Sequence, residues 1–504
     1  MKGVVAAGHP LTAEAGAEIL REGGNAVDAA VAAVLASFAV ESPLTGFGAG
    51  GHMMVATPGA ATHPTLIDFF VAAPGLEGSH RHTELVPVPV RFDAATTQTF
   101  YVGPASCGVP GTAAGLEHAL ERFGSLPLSE LVLPAIALAR EGAPVNAQQA
   151  YILDILAPIH DRLKGTRDLY APTGVQLEEG DPFRFAELAE ALERYGAEGA
   201  EPFYRGEIAA AISEFILANG GTIGPRDLAT YEALERRPIA APFRGTEVLT
   251  NPPPSSGGIL IAYCLGLLER LGERSGPEQL VAAMGAANDL RDLEFAESLY
   301  EEGIEAGVLD PGGLDLAAAD LLGSTTHISV FDADGTCASV TCSNGSGSGV
   351  LVPGTGVILN NMLGEEDLNP LGFHRIAPGR RVPSMMAPTM VLRDGEVELA
   401  LGSAGSNRIR SAILQTVVRA VEQGLPVAEA VGAPRLHFEE DVVQAEPGID
   451  ELSLQLLEAA GTTVARWPEL NLFFGGVQAV ARDPRTGALS GGGDPRRGGA
   501  VATA

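Results

Sequence analysis

Ser324-Thr325-Thr326-His327-Ile328-Ser329-Val330-Phe331-Asp332 reads as a β-strand that opens on a threonine pair. β-Branched residues favour strands for steric reasons, so the run is compatible with plain structure. Its start carries a second meaning. A hydroxyl residue placed after Gly323-Ser324 can attack the peptide bond in front of it. A break there makes Thr325 a new N-terminus, whose free α-amine serves as base for its own hydroxyl. One inactive precursor then becomes a two-piece amide-cleaving enzyme.

Working outward, Ala333-Asp334-Gly335 is a tight-turn signal between two alternating runs, the second being Thr336 to Ser343. A hairpin folded about Ala333-Asp334 sets Thr325 opposite Cys342. One folded about Asp334-Gly335 sets it opposite Asn344. In both, Ser343 lies beside Thr325, because cross-strand neighbours sit roughly 5 Å apart at Cβ. Ser343 is either a second hydroxyl that tunes the nucleophile or a strand-end residue before a glycine loop.

The 504 residues are 46% hydrophobic and 19% charged, a globular composition. A net charge of −31 repels phosphate backbones and argues against a nucleic-acid partner. Acidic substrates would need a locally positive pocket. Four widely spaced cysteines without C-x-x-C, and no H-E-x-x-H, point away from a metal site or a disulfide framework. Cys337 and Cys342 share a strand but point to opposite faces. The apolar stretch Ala29 to Val40 is too short for a bilayer, which needs about 20 residues. No charged-then-apolar leader follows Met1, so a cytoplasmic protein without membrane contact is the expectation.

Thr12 can cap a first helix that Gly23-Gly24 end, and Asn25 starts a second that runs to Phe38. Strand-like runs cover His52–Ala56 and Thr65–Phe70. Gly108-Val109-Pro110-Gly111-Thr112 precedes a helix that ends near Gly124. Residues 128 to 300 read mainly as helix, including Phe183–Tyr195 and Leu260–Leu271. From Thr325 onward strands dominate, interrupted by helices at Asn407–Glu422 and Glu451–Ala459. The Gly-rich tail, Gly487 to Gly499, reads as an exposed loop leading to a short strand. This order suits antiparallel sheets sandwiched between helical layers, an α+β fold.

Gly46-x-Gly48-x-x-Gly51 matches the dinucleotide fingerprint, but a helix precedes it and a strand follows. That order is wrong for a nucleotide site. A backbone loop packed against a buried site fits better. Gly402-Ser403-Ala404-Gly405-Ser406 lies between a strand at Glu398–Leu401 and a helix. Free N–H groups there either stabilise a developing oxyanion or form an ordinary turn. Asn360-Asn361 and Glu365-Glu366-Asp367 offer two amides and a carboxylate that can grip an ammonium, or a solvated acidic loop. Trp467, the only tryptophan, reads as core.

Together these segments resemble the gamma-glutamyltranspeptidase (glutathione hydrolase) family of N-terminal-nucleophile hydrolases. The resemblance runs through His9-Pro10-Leu11, Gly23 to Ala30, the glycine segment 46–51 and Gly108-Val109-Pro110-Gly111-Thr112. It continues with Pro252 to Gly258, Thr325-Thr326-His327, Pro353-Gly354-Thr355-Gly356, Asn360-Asn361, Ala387-Pro388-Thr389 and Gly402-Ser403. It implies a four-layer αββα fold and self-cleavage between Ser324 and Thr325. The products would be segments 1–324 and 325–504, intertwined in one domain. Thr325 matches the nucleophile and Ser343 the helper hydroxyl, normally threonine. Gly405 and Ser406 match the backbone oxyanion pair, usually Gly-Gly. Asn344, Asn361, Glu365 and Ser384 fall at or beside substrate-binding positions. No metal or cofactor is implied.

The departures concern the acyl pocket. The family's arginine after an Asp-Phe pair, which holds the glutamyl α-carboxylate, is Phe70 here, after Asp68-Phe69. Its paired serines appear as Ser384-Met385. A glutamine after Asn-Asn is Met362, and the ammonium-binding aspartate is Glu365. The asparagine near the helper hydroxyl comes one place early, at Asn344, leaving Gly345 at the matched position. Arg380, Arg381 and Arg408 are the candidates to replace the lost positive charge. The expected substrate is a small-molecule amide, glutathione-like or another acyl amide, with water or an amine as acceptor and an oligomer of processed chains possible. The alternatives are an acylase for a non-glutamyl acyl group (glutaryl- or oxamate-like), an unprocessed binding homologue and, more remotely, a nucleotide-dependent oxidoreductase.

Overall fold

The computed structural model describes residues 1–59, 63–78, 84–91, 97–272, 274–309 and 325–504. Ser324, on the upstream side of the expected cleavage, lies outside the described residues.

Two antiparallel sheets face each other. The first has seven strands in the order Ala500–Thr503, Gly3–Ala7, Thr326–Asp332, Cys337–Ser343, Gly50–Ala56, Thr65–Phe69 and Leu234–Arg236. The second has six, ordered Leu489–Gly493, Gly476–Arg482, Glu396–Ala404, Thr389–Arg393, Thr246–Thr250 and Ile239–Phe243. Successive strand residues point to opposite faces, and here both faces are buried. Val4, Ala6, Met54, Leu66 and Phe331 of the first sheet meet Leu249, Met390, Ala400 and Val480 of the second. Their neighbours Val5, Ala7, Ile328 and Val330 turn outward onto the helices Pro10–Glu22 and Ala26–Val40. On the far side, Val248, Val391, Leu399 and Leu401 pack against Ser256–Leu271 and Arg408–Val417. This is the four-layer αββα arrangement.

The Ala26–Val40 helix is apolar on nearly every side, Asp28 and Ser37 excepted, as suits a helix whose every residue is buried. Asn25 and Asp28 close its start with a reciprocal capping box. Among the described residues no helix is long and apolar enough to cross a membrane.

Several local expectations are corrected. The first helix is capped by His9, whose Nδ1 accepts from the Leu11 N–H, with Pro10 in its first turn. Thr12 lies inside it and donates instead to Glu41. The long helix expected from Phe183 begins at Ala186, because Pro182–Phe183 form a short strand. The strand expected over Glu398–Leu401 runs on to Ala404. The Gly-rich tail is not an exposed loop: Leu489–Gly493 forms the edge of the second sheet, and Asp494, Arg496 and Arg497 are buried. Glycine there lets backbone approach backbone; a Cβ at Gly493 would fall 2.5 Å from the Ala500 nitrogen.

The central hairpin takes neither of the two expected registers. Asp332 pairs through its N–H with the Thr336 carbonyl, closing a three-residue loop with Gly335 at φ 96°. The ladder then pairs Phe331 with Cys337 and Thr326 with Cys342. One step further, Thr325 stands opposite Ser343 itself.

Candidate active site

Strand alternation orients the threonine pair. Thr326 faces the helical layer, where its hydroxyl donates to Glu41 at 2.7 Å. His327 faces the second sheet and packs on Gly402, where an added Cβ would fall 2.3 Å from its ring. His327 is tied to Thr341 (2.8 Å) and Ser329 (2.9 Å), and burial pushes it down to about 3, so it is a neutral structural group. By the same alternation Thr325 shares the inter-sheet side with His327, and Ser343 shares it with Thr341. Thr325 and Ser343 are both buried.

Gly402 is three residues before Gly405, so the expected oxyanion turn lies at the same end of the sandwich as Thr325. Gly405 has φ 118° and Ser406 φ 50°, between the strand ending at Ala404 and the helix beginning at Arg408. A side chain at 405 would strike the Gly475 backbone, 2.8 Å away. Ser406 is a left-handed residue with a side chain, which is uncommon. Its hydroxyl is anchored on Asp367 at 2.9 Å, which explains how serine is accommodated there.

A chain of contacts links that turn back to Ser343. The Ser343 hydroxyl accepts the Gly345 N–H (2.8 Å), and the Ser346 N–H donates to Glu365 (3.0 Å). Asn361 donates to the Ser346 hydroxyl, and its own N–H bonds the Asn344 carbonyl. Glu365 is two residues from Asp367, which holds Ser406. Thr325, Ser343, Asn344, Asn361, Glu365, Gly405 and Ser406 therefore converge. Ser384 is not part of this ring. Its hydroxyl accepts the Met386 N–H and its carbonyl binds Ser255. It sits between Pro383 and Met385, which with Asp367, Glu366, Phe295 and Phe373 line a cavity of about 790 Å³. That cavity reaches the ring at Asp367, while Thr325 and Ser343 are not among its lining residues.

The acyl-pocket positions differ in what they have left to offer. Asn360 is spent on the scaffold: it bonds Gly48, Gly108 and Met362. So one amide of the pair, not two, is available. Asn361 keeps a buried Oδ1 without a partner, and Asn344 keeps both side-chain atoms so, among the described residues. Glycine is required at 345 (φ 68°), since a Cβ there would lie 2.2 Å from Asn361 Oδ1 and 2.3 Å from Glu365 Oε1.

Burial pushes Glu365 up to about 8, against the Ser346 N–H that favours its charge. Its usual value is 4.5, so between pH 4.5 and 8 the folded chain holds a proton that the unfolded chain has released. Stability then falls as pH rises through that window. Glu365→Gln, which keeps the acceptor, is expected to gain stability over wild type at pH 9, on the order of a few kcal/mol, and to match it at pH 4. Denaturation midpoints at the two pH values check this.

Among the described residues, no substitute cation stands out for the absent arginine. Phe70 stacks on His52 at 5.4 Å, and burial pushes His52 down to about 4, so its contact with Asp68 is not an ion pair at neutrality. Arg381 and Arg236 are held on Asp68, at 3.3 and 2.7 Å. Burial alone would raise Asp68; with His52, these arginines keep it low. Arg380 lies over Tyr300, and Arg408 lies over Phe473 near Glu439. Trp467 is half-buried, stacked on Phe473 with its N–H on Gln444.

The glycine segment behaves as a close-approach loop. A Cβ at Gly48 would lie 2.0 Å from the Ile358 carbonyl, and one at Gly51 2.2 Å from that of Thr341. Among the described residues no cluster of three His, Cys, Asp or Glu side chains is arranged to hold a metal ion.

Two contact residues escaped the sequence reading. Glu41 accepts from both Thr326 and Thr12, and Arg497 donates to the Thr325 carbonyl at 3.4 Å. An acid closing an almost wholly apolar helix was the signal for the first. Paired arginines within a glycine-rich tail were a weaker one for the second.

A family model described as gamma-glutamyltranspeptidase matches residues 12–504. The glutathione hydrolase proenzyme of Escherichia coli (strain K12) is 34% identical, over 98% of this chain and 90% of that protein. The acylase ACY 1 proenzyme of Pseudomonas sp. (strain SE83) is also 34% identical, over 97% of this chain and 91% of that protein. Among solved structures, a cephalosporin acylase from Bacillus halodurans superposes with a TM-score of 0.84 at 26% identity, covering 100% of this chain and 96% of that one. With a family model spanning nearly the whole length and relatives above 30% identity, the chain belongs to the gamma-glutamyltranspeptidase family.

Proposed function

We propose that this chain is an autoprocessed amide hydrolase or acyltransferase with Thr325 as its N-terminal nucleophile. The observation that carries the reading is the placement of Thr325 opposite Ser343, at the sandwich end that also holds Gly405 and Ser406. The Thr325 hydroxyl attacks the Ser324 carbonyl, the C–N bond breaks as an ester forms and the α-amine is freed, and water hydrolyses the ester to give segments 1–324 and 325–504. The freed α-amine, with an ordinary pKa near 8, then accepts the hydroxyl proton as Thr325 Oγ1 attacks a side-chain-type amide. The N–H groups of Gly405 and Ser406 receive the oxyanion, and Ser343 orients the nucleophile. The leaving amine takes the proton, and the acyl ester passes to water or to an amine. Asn344, Asn361 and Glu365 orient the acyl group, and Ser384 the far wall. A γ-glutamyl amide is the family substrate.

A second reading, an acylase for acyl groups without the α-ammonium, is favoured by Glu365. The lost charge-assisted bond to the terminal carboxylate forfeits about 1.5–3 kcal/mol for a γ-glutamyl and a glutaryl group alike, since both carry that carboxylate. Ionising Glu365 at pH 7, one unit below its value, to meet an ammonium costs about 1.4 kcal/mol more. Protonated Glu365, with the unspent Asn344 amide and the Asn361 Oδ1, makes a polar pocket without an anion to meet an ammonium. A glutaryl group spares that ionisation, so glutaryl anilide is expected to exceed γ-glutamyl anilide in kcat/KM by about tenfold. The reverse preference returns the enzyme to γ-glutamyl chemistry, and turnover of neither removes the amidase reading.

A further inference from the structure

The tail that read as a loose glycine-rich loop delivers a buried cation to the nucleophile. Asp494 caps the short turn Pro495–Arg497 by accepting the Arg496 N–H at 3.0 Å, and Gly498 (φ 64°) ends it. The turn aims Arg497 inward across Gly476. Only glycine permits this, since a Cβ at 476 would fall 2.4 Å from Arg497 Cδ. Gly476 is the cross-strand partner of Ala404, the residue before Gly405. From there Arg497 Nη1 reaches the Thr325 carbonyl at 3.4 Å, and its Nε has no hydrogen-bond partner among the described residues. On the other side of the same dipeptide, Glu41 holds the Thr326 hydroxyl.

We propose that Arg497 is a positioning residue for the reaction: it holds Thr325 by its carbonyl and sets a positive charge beside the α-amine of that residue. The proposal rests on the reading of Thr325 as the N-terminal nucleophile. The physical reason is electrostatic. A neighbouring cation disfavours the ammonium form of the amine, so more of it is the neutral base at neutral pH. Burial favours a neutral guanidinium but brings Arg497 down only to about 10, so it stays charged there. The other charged groups around the threonine pair are Glu41 from the end of the Ala26–Val40 helix, Asp494 from the tail and Glu365 beyond the Ser343 loop. Asp494 is already engaged by Arg435 and Arg496. Burial raises Glu41, against the two threonine hydroxyls and Arg497, which weakens it as a counter-charge. His327, two residues on, is neutral.

The test compares wild type, Arg497→Gln and Arg497→Lys by kcat/KM against pH, on whichever anilide the wild type turns over, with the N-terminus of the small fragment sequenced in each. Loss of the charge is expected to move the acid limb up by about one pH unit, so that Arg497→Gln loses about tenfold at pH 6.5 and little at pH 9. Arg497→Lys, which keeps the charge with a poorer reach, is expected to move it by a few tenths. A uniform loss at every pH, with the limb unmoved, overturns the proposal. If Arg497→Gln is not cleaved, the lysine variant decides: a limb raised by a few tenths supports the role, and an unmoved limb overturns it. A wild-type small fragment that does not begin at Thr325 sinks the nucleophile reading itself, a result distinct from an unmoved limb.

Discussion

Thr325→Ala is expected to leave a single full-length band on a denaturing gel and to lower anilide turnover by at least about 10⁴-fold. On the proposed roles, one substitution removes the single hydroxyl that breaks the chain and then attacks substrate. It also keeps the α-amine locked in a peptide bond, so no base is generated. The loss is specific because the scaffold holds Thr325 from several sides: the register, carried one step past Thr326–Cys342, sets Ser343 opposite, Arg497 binds the carbonyl, and Glu41 fixes the next residue. Alanine leaves the Arg497 and Glu41 contacts in place, since both engage atoms outside the Thr325 side chain. The fold is therefore expected to survive, with a denaturation midpoint near that of the wild-type chain. Thr325→Ser, which keeps a hydroxyl and loses a methyl, is expected to be cleaved and to retain measurable turnover. An alanine variant that is still cut at residue 325, or that keeps turnover, contradicts the assignment.

The second large effect is on stability. Asp494→Ala is expected to destabilise the folded protein by about 3–5 kcal/mol, the cost of removing one partner from a buried ion-pair network. Asp494 is wholly buried between Arg435 (2.6 Å) and Arg496 (3.1 Å), and it also accepts the Val477 N–H (2.8 Å). Burial alone would raise its carboxyl, but the two arginines hold it below its usual 3.8. A depressed carboxylate stabilises above its unfolded pKa and loses that contribution as pH falls through the folded one. The alanine penalty is thus expected in full at pH 7 and to shrink in strong acid, below the usual 3.8. Asp494→Asn, which keeps acceptor and shape, is expected to cost less. Chemical denaturation of the three proteins at pH 7 checks the order.

The residues that were legible beforehand are those whose meaning is local. A threonine pair opening a strand, a turn signal eleven residues before Asn344–Gly347, and helix ends at Gly23 and Asn25 need only near neighbours. Even there, the turn's length was misread, because a left-handed Gly335 admits a third loop residue and shifts the register by one. That shift brings Ser343 squarely opposite Thr325. The contacts that hold the pair were not legible, because their partners are far apart in the chain. Glu41 and Thr326 are 285 residues apart, and Arg497 and Thr325 are 172 apart. Thr12 looked like a cap because its type suits one; its hydroxyl is instead taken by Glu41, a tertiary demand that local propensity does not contain. The tail's glycines looked like freedom. They are the small residues of a crowded sheet edge, and they let a charged turn reach the site.

The acyl pocket divides the same way. Phe70, Met362 and the early Asn344 were visible as departures, while their consequence depends on burial. The protonated state of Glu365, the unspent amide of Asn344 and the unspent Oδ1 of Asn361 follow from where those groups are folded, not from which residues they are.

The central claim is that the working enzyme begins a chain at Thr325. Intact-mass measurement of the purified, active wild-type protein, with N-terminal sequencing of the smaller piece, tests it most directly. Two non-covalently joined segments, 1–324 and 325–504, are expected, the second reading Thr-Thr-His-Ile-Ser-Val. A fully active protein of one uninterrupted mass would contradict it.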